Sequence, residues 1–136
     1  MFFYSMRHFA DFHGRSRREE FWPFAIFAWA TRWIGLVAFF GGFGMLSYAG
    51  NMGDETAIPA GGAMIVGGGV YMLWVSIALM SVTARRLHDI GMTGWLTLLH
   101  FAPLVDLALY GLALVPGSTG PNRYGDDPKA PATFAY

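Results

Sequence analysis

The chain has 136 residues, of which 54% are hydrophobic and only 13% are charged, and its formal net charge is zero. Soluble domains carry charge on about a quarter of their residues, so this composition is typical of a protein embedded in a membrane. The apolar content and the zero net charge exclude a disordered chain and a nucleic-acid-binding protein. The absence of cysteine excludes disulfides and cysteine metal ligands. The length limits the chain to a single domain.

A charged lead over residues 1–20 precedes the first apolar segment, which covers about residues 21–49. A bilayer core of about 30 Å requires roughly 20 helical residues, so this segment is long enough to cross it. Arg32 interrupts the segment and leaves two placements open. A helix over about 21–40, which we favour, puts Arg32 near the middle of the membrane, whereas a helix over about 31–49 puts it at the headgroups.

The second apolar segment covers about residues 57–82 and lies in a stretch without charge between Glu55 and Arg85. Its glycines are typical of membrane helices that approach one another closely. Four of them recur at seven-residue spacing and therefore share one helix face, which we expect to be a helix contact; they are Gly61, Gly62, Gly68 and Gly69.

The third apolar segment covers about residues 95–115 and contains Pro103, which removes a backbone donor and is expected to kink it. The proline also leaves open a re-entrant hairpin. The sequence thus predicts an all-α, polytopic membrane protein with three transmembrane helices in one domain, followed by a tail over residues 116–136.

Arginine counts predict the orientation. Arginines occur in the lead and between the second and third segments, while the loop around Asp54 contains neither lysine nor arginine. By the positive-inside rule the N-terminus is cytoplasmic and this loop lies outside. Three full spans then place the tail across the membrane from both arginine-containing segments.

Two side chains that are charged at neutral pH lie inside predicted spans, where such groups are usually functional. Arg32 and Asp106 each follow the cytoplasmic start of their span by about 11 residues, or about 16 Å of helix. We predict an Arg32–Asp106 ion pair, acting as a packing latch between the first and third helices. The alternative is a transport or channel-like oligomer that uses Arg32, His100 and Asp106.

The cytoplasmic face is predicted to bind an anionic lipid or an acidic partner through a cluster of arginines, because guanidinium groups suit phosphate geometry. Alternatively, these arginines only determine the topology of the chain and pair with Glu19, Glu20 and Asp89. Gly91 has the position of a helix C-terminal residue, and Thr93 that of a cap for the next helix. The predicted cluster, with a tryptophan ending each segment, consists of Arg15, Arg17, Arg18, Arg85, Arg86, Trp22 and Trp95.

The sequence predicts no enzyme, cofactor or metal site. His88 and Asp89 are adjacent, but neighbours on a helix point about 100° apart, so a catalytic dyad between them is only a third alternative. The four histidines show no metal-ligand spacing on one element; they are His8, His13, His88 and His100.

Three motifs resemble a known family. They are GRSRREEFW at 14–22, ARRLHDIGMTGW at 84–95, and PG followed by GPNRYG at 116–125. In this order they are similar to the domain of unknown function 805 family of small bacterial inner-membrane proteins. The resemblance implies a multi-pass inner-membrane protein and no assigned activity, so it supplies no catalytic residues. A hairpin at Pro103 would bring all three motifs to one side of the membrane.

We therefore expect a small, non-enzymatic accessory protein of the bacterial inner membrane. Its expected partners are membrane lipids and other membrane protein subunits or further copies of itself.

Overall fold

The computed structural model describes residues 10–129, and of residues 103–105 only the backbone. Its elements are two long helices, α1 (Arg18–Met52) and α2 (Ala57–Asp89), a 3-10 helix (Gly94–Phe101) and α3 (Pro103–Ala113). The chain divides into two compact units. We call Met1–Ala25 with Ile77–Tyr136 the motif unit, because it contains the three motifs, and Ile26–Ser76 the hairpin unit.

The two long helices have the length and composition of membrane spans. α1 has 35 residues and α2 has 33, both longer than the roughly 20 that a bilayer requires. Their most apolar stretches are each only 22% buried, so neither resembles the core helix of a soluble protein. Outward-facing side chains such as Val37, Val70 and Leu73 are apolar and more than half exposed.

Glycine lets the two helices of the hairpin unit approach at backbone distance. A Cβ placed on Gly68 would lie 2.7 Å from the backbone nitrogen of Phe39, and one on Gly42 would lie 2.6 Å from the carbonyl oxygen of Gly61. The predicted glycine face is therefore confirmed at Gly61 and Gly68. It is wrong at Gly62, where an added Cβ meets nothing within 4 Å.

The turn between α1 and α2 is closed by local hydrogen bonds. Gly53 has a φ of 69°, and the amide of Asp54 donates to the carbonyl of Ala49 at 3.1 Å. This left-handed residue with its backward hydrogen bond is a common way to end a helix. The Asp54 carboxylate then accepts from the amide of Thr56 at 3.1 Å, at the start of α2.

The predicted ends of the central motif are confirmed. Gly91 has a φ of 80° two residues after the end of α2 at Asp89, and its amide donates to the carbonyl of His88 at 3.1 Å. The side chain of Thr93 caps the 3-10 helix by accepting from the amide of Trp95.

The third apolar segment differs from the single helix that the sequence predicts. Ala102 is extended, with φ −109° and ψ 101°, and separates an eight-residue 3-10 helix from the 11-residue α3. The residue before a proline avoids the α conformation, which explains why the helix breaks here. Each piece is about 16 Å long, roughly half of a bilayer core. Three membrane-spanning helices are therefore not confirmed.

Candidate functional site

The centre of the motif unit is the carboxylate of Asp89, which is 1% exposed. Arg15 Nε donates to Asp89 Oδ1 at 3.0 Å, and Arg86 donates to Oδ2 from one turn earlier on α2. Both guanidinium groups are as buried as the carboxylate. Two buried cations therefore share one anion, so their remaining N–H groups require further acceptors.

Backbone carbonyls at the end of α3 accept hydrogen bonds from some of the remaining N–H groups. Arg86 Nε donates to the carbonyl of Ala113 at 3.2 Å, and another of its nitrogens donates to Val115. Arg18 donates to the carbonyl of Leu114. The last carbonyls of a helix have no partner within the helix, so these arginines cap α3.

The tail supplies the remaining acceptors. Arg15 donates to the carbonyls of Gly120 at 2.7 Å and Ser118 at 2.6 Å, and the Ser118 amide donates to the carbonyl of Asp89 at 2.8 Å. A Cβ on Gly117 would lie 2.0 Å from Asp89 Oδ2, so only glycine fits at this position. The lead, the end of α2 and the tail are thus tied together through Asp89.

The tail also packs on the end of α2 through His88. The rings of His88 and Tyr124 stack with centroids 3.9 Å apart and planes 8° from parallel. Asn122 Nδ2 donates to the carbonyl of His88 at 3.0 Å, and the turn from Asn122 to Gly125 is closed by two backbone hydrogen bonds of 3.0 Å. His88 and Asp89 therefore face different partners and do not form a dyad.

These contacts correct the predicted position of the tail. Three full spans would separate the tail from both arginine motifs, yet Arg15 and Asp89 bind it directly through Gly120 and Ser118. The hairpin alternative at Pro103 agrees with the observed arrangement.

The predicted arginine cluster separates into two groups. Arg15 and Arg86 are used in the Asp89 network, and Arg85 is 3% exposed, with its carbonyl accepting from the amide of Ser16 at 3.1 Å. Arg17 and Arg18 instead line a cavity of about 250 Å³. The other residues that line this cavity are Glu19, Pro116 and Lys129.

The two predicted interface tryptophans lie in different surroundings. The Trp22 ring is 6.5 Å from that of Tyr110, which joins the start of α1 to α3. Trp95 is 78% exposed, as an interfacial tryptophan that contacts lipid would be.

Asp106 contacts a residue of its own unit. Its carboxylate pairs with His100 Nδ1, and His100 Nε2 lies 3.1 Å from Thr83 Oγ1. Thr83 donates its proton to the carbonyl of Leu79 at 2.7 Å, so its oxygen accepts from His100. Arg32 lies in the hairpin unit, and the predicted Arg32–Asp106 pair stays a prediction.

Metal ligands do not gather in the part of the chain that the structure describes. Over residues 10–129 no three His, Asp or Glu side chains form a candidate metal site. His8, one of the four histidines considered, lies outside the described residues.

Sequence reasoning missed the contacts of Gly117 and Ser118, neither of which is among the predicted site residues. The sequence offered one signal for these contacts, the Pro116-Gly117 pair after an apolar segment. A tight turn and a close contact with a carboxylate both require glycine, so the pair alone does not distinguish them. Their role depends on Asp89, 28 and 29 residues earlier in the chain, which local patterns do not reveal.

Fold and site together define a small helical protein with two apolar helices of membrane-spanning length and a polar network that joins three sequence motifs. The model of the family described as "Protein of unknown function (DUF805)" matches residues 9–126. The chain belongs to this family.

Two relatives in Escherichia coli strain K12 are each 29% identical to the chain. Inner membrane protein YhaI aligns over 125 residues, which is 91% of both chains. Inner membrane protein YhaH aligns over 126 residues, 91% of this chain and 92% of its own. No solved structure matches the chain.

Proposed function

We propose that this is an integral protein of a bacterial inner membrane that crosses it twice, through α1 and α2, with its N-terminus and tail both in the cytoplasm. The names of YhaI and YhaH support the location. The arginines of both motifs and the lysine-free, arginine-free turn at Gly53–Thr56 support the orientation. The hydrogen bonds between the tail and Arg15 support a shared side.

In this proposal the third apolar segment lies along the membrane surface. Its two helices are each about half as long as a span, and large apolar side chains are exposed on both. These exposed side chains include Trp95, Leu98, Phe101 and Leu107. Fusing a reporter after Tyr136 tests the topology: cytoplasmic activity is expected, and periplasmic activity would restore the three-span arrangement.

The proposed function of the cytoplasmic face is to bind an anionic phosphate group, supplied by a lipid headgroup. The observation that carries this proposal is the cavity of about 250 Å³, lined by Arg17, Arg18 and Lys129. Arg18 Nε is buried without a hydrogen-bond partner among the described residues. Guanidinium groups bind phosphate oxygens in pairs, and three cations outweigh the one carboxylate of Glu19.

Native mass spectrometry of the full chain, released from nanodiscs of mixed phosphatidylglycerol and phosphatidylcholine, tests this function. We expect retained phosphatidylglycerol, and about fivefold weaker retention in Arg17→Gln, since each cation near an anionic surface contributes about 1 kcal/mol. Arg123→Gln, which removes the same charge from outside the cavity, is the matched control. Equal retention by the two variants would refute the proposal. Displacement of the lipid by inorganic phosphate would identify a free anion as the ligand.

We further propose that the protein acts without catalysis, as an accessory to other membrane subunits. A stoichiometric second protein in the same spectra supports this role. The second candidate is transport, favoured by the hydrogen-bonded series of Asp106, His100 and Thr83. A homo-oligomer with pH-dependent ion flux in vesicles, abolished by His100→Gln, would support transport instead.

A further inference from the structure

A second and larger cavity lies within the motif unit, on the side of the 3-10 helix. Its volume is about 610 Å³, within the range of cavities that enclose small ligands. Met80 and Ala84 of α2 and Trp95 and Leu98 of the 3-10 helix give it apolar walls. It shares no lining residue with the cationic cavity beside Arg17.

The lining of this cavity favours an uncharged ligand. Among the described residues that line it there is no Asp, Glu, Lys or Arg. A charged group placed here would lose its hydration without gaining a partner of opposite charge, which is costly. The polar side chains of the lining are hydroxyls and imidazoles, including those of Thr93 and His88.

The hydrogen bonding of His88 determines which polar group fits. Nδ1 lies 3.1 Å from the carbonyl oxygen of Gly14, which only accepts, so Nδ1 carries the proton of the neutral ring. Nε2 is then an acceptor, and the stack on Tyr124 fixes the ring plane. A Cβ on Gly94 would lie 2.8 Å from Nε2, so the missing side chain at Gly94 leaves this acceptor open to the cavity.

The rim of the cavity is open towards apolar surroundings. Trp95 is 78% exposed and Leu98 is half exposed, and both belong to the segment proposed to lie along the membrane surface. A ligand with an apolar chain therefore enters from the bilayer, with its polar end towards His88. The entry of the ligand from the bilayer rests on the proposed topology, whereas the polarity of the cavity lining does not.

We propose that the cavity binds a neutral, hydroxyl-bearing amphiphile of the monoacylglycerol type. Its hydroxyl donates to His88 Nε2, and its acyl chain lies against Met80 and Leu98. This ligand differs from the anion proposed for the Arg17 cavity in both charge and hydrogen-bonding role.

Photo-crosslinking in phosphatidylcholine nanodiscs tests the assignment on the wild-type chain. The probe is a monoacylglycerol with a diazirine in its acyl chain, and labelled residues are located by peptide mass spectrometry. We expect labelling within residues 80–98, displaced by unlabelled monooleoylglycerol at least tenfold more effectively than by methyl oleate, which has the same chain without a hydroxyl. Equal displacement by the two competitors would overturn the proposal.

Two substitutions sharpen this test. Gly94→Ala places a methyl group against His88 Nε2, and we expect it to reduce labelling at least tenfold; Gly111→Ala, whose Cβ meets nothing within 4 Å, is the matched control. His88→Asn keeps a donor for the Gly14 carbonyl but has no acceptor at the position of His88 Nε2, so it should lose the preference for monooleoylglycerol. Unchanged labelling in Gly94→Ala would refute the assignment. Should Gly94→Ala fail to fold, the two competitors on the wild-type chain still decide it.

Discussion

The hairpin unit and the motif unit hold their helices together by different means. In the hairpin unit, glycines bring helix backbones into direct contact, with Gly42 against Gly61 and Gly68 against Phe39. In the motif unit, buried guanidinium groups bind one carboxylate and the carbonyls of distant segments. Close packing needs only the correct shape, whereas a buried charge network needs every partner in place. The two units should therefore respond differently to small substitutions.

The largest effect is expected for Asp89→Asn. The substitution keeps the shape of the side chain but leaves the guanidinium groups of Arg15 and Arg86 buried without a counter-charge. Breaking a buried ion pair in this way costs about 3–5 kcal/mol. Thermal unfolding in mild detergent and the amount of protein in the membrane measure the loss.

Asp126→Asn is the matched control for this prediction, because Asp126 is exposed and surface substitutions change stability by about 0.5 kcal/mol or less. Equal stability of the two variants would show that the network does not hold the motif unit together. Gly117→Ala should resemble Asp89→Asn, since its methyl group would displace the tail from the carboxylate.

A smaller loss is expected for Gly68→Ala in the hairpin unit. The added Cβ would lie 2.7 Å from the backbone of Phe39, and overpacking of this kind costs about 1–3 kcal/mol. Gly67→Ala, one residue earlier, meets nothing within 4 Å and should be neutral or stabilising because alanine favours the helix. Unfolding by dodecyl sulfate titration compares them, and equal midpoints would contradict close packing at Gly68.

Asp106→Asn should cost about 1–2 kcal/mol, because the lost hydrogen bond is charge-assisted but the carboxylate remains partly exposed. A double-mutant cycle with His100→Gln measures the coupling of the pair. The same cycle with Arg32→Gln tests the ion pair predicted from the sequence. A stronger coupling to Arg32 than to His100 would contradict the assignment of His100 as the partner.

The smallest effect is expected at Asp127, on the surface of the tail. Hydrogen bonds from the amides of Lys129 and Gly120 lower the pKa of Asp127 below its usual 3.8. The ionised Asp127 carboxylate therefore stabilises the folded tail above pH 3.8, and this stabilisation is lost as the pH falls through the lowered pKa. Asp127→Asn should abolish this acid dependence of tail protection in hydrogen exchange, whereas Asp126→Asn should keep it.

The helical class, the two long apolar helices and the ends of the central motif were predictable because they depend on local composition. The favoured end of the first helix near residue 40 was wrong, because α1 continues to Met52. Gly91 and Thr93 end and begin helices through contacts within a few residues. The third span was predicted as one helix because its apolar content is continuous, while the extended Ala102 before Pro103 divides it.

The partners of each arginine were not predictable from the sequence, because they depend on contacts between distant segments. Arg15 and Asp89 are 74 residues apart, and Arg15 and Gly120 are 105 apart. Arginine counts predict only that the arginines of both motifs lie on one side of the membrane. Only the folded tail distinguishes Arg15, which is used internally, from Arg17, which lines a cavity.

The reach of Arg15 to Gly120 has a consequence for biosynthesis. The guanidinium group leaves the ribosome early, but its carbonyl acceptors are 103 and 105 residues further along the chain. At translation rates of about 5–20 residues per second, it waits roughly 5–20 seconds for them. In the proposed topology it would remain hydrated on the cytoplasmic side throughout that interval and help retain the nascent N-terminus there while α1 and α2 insert.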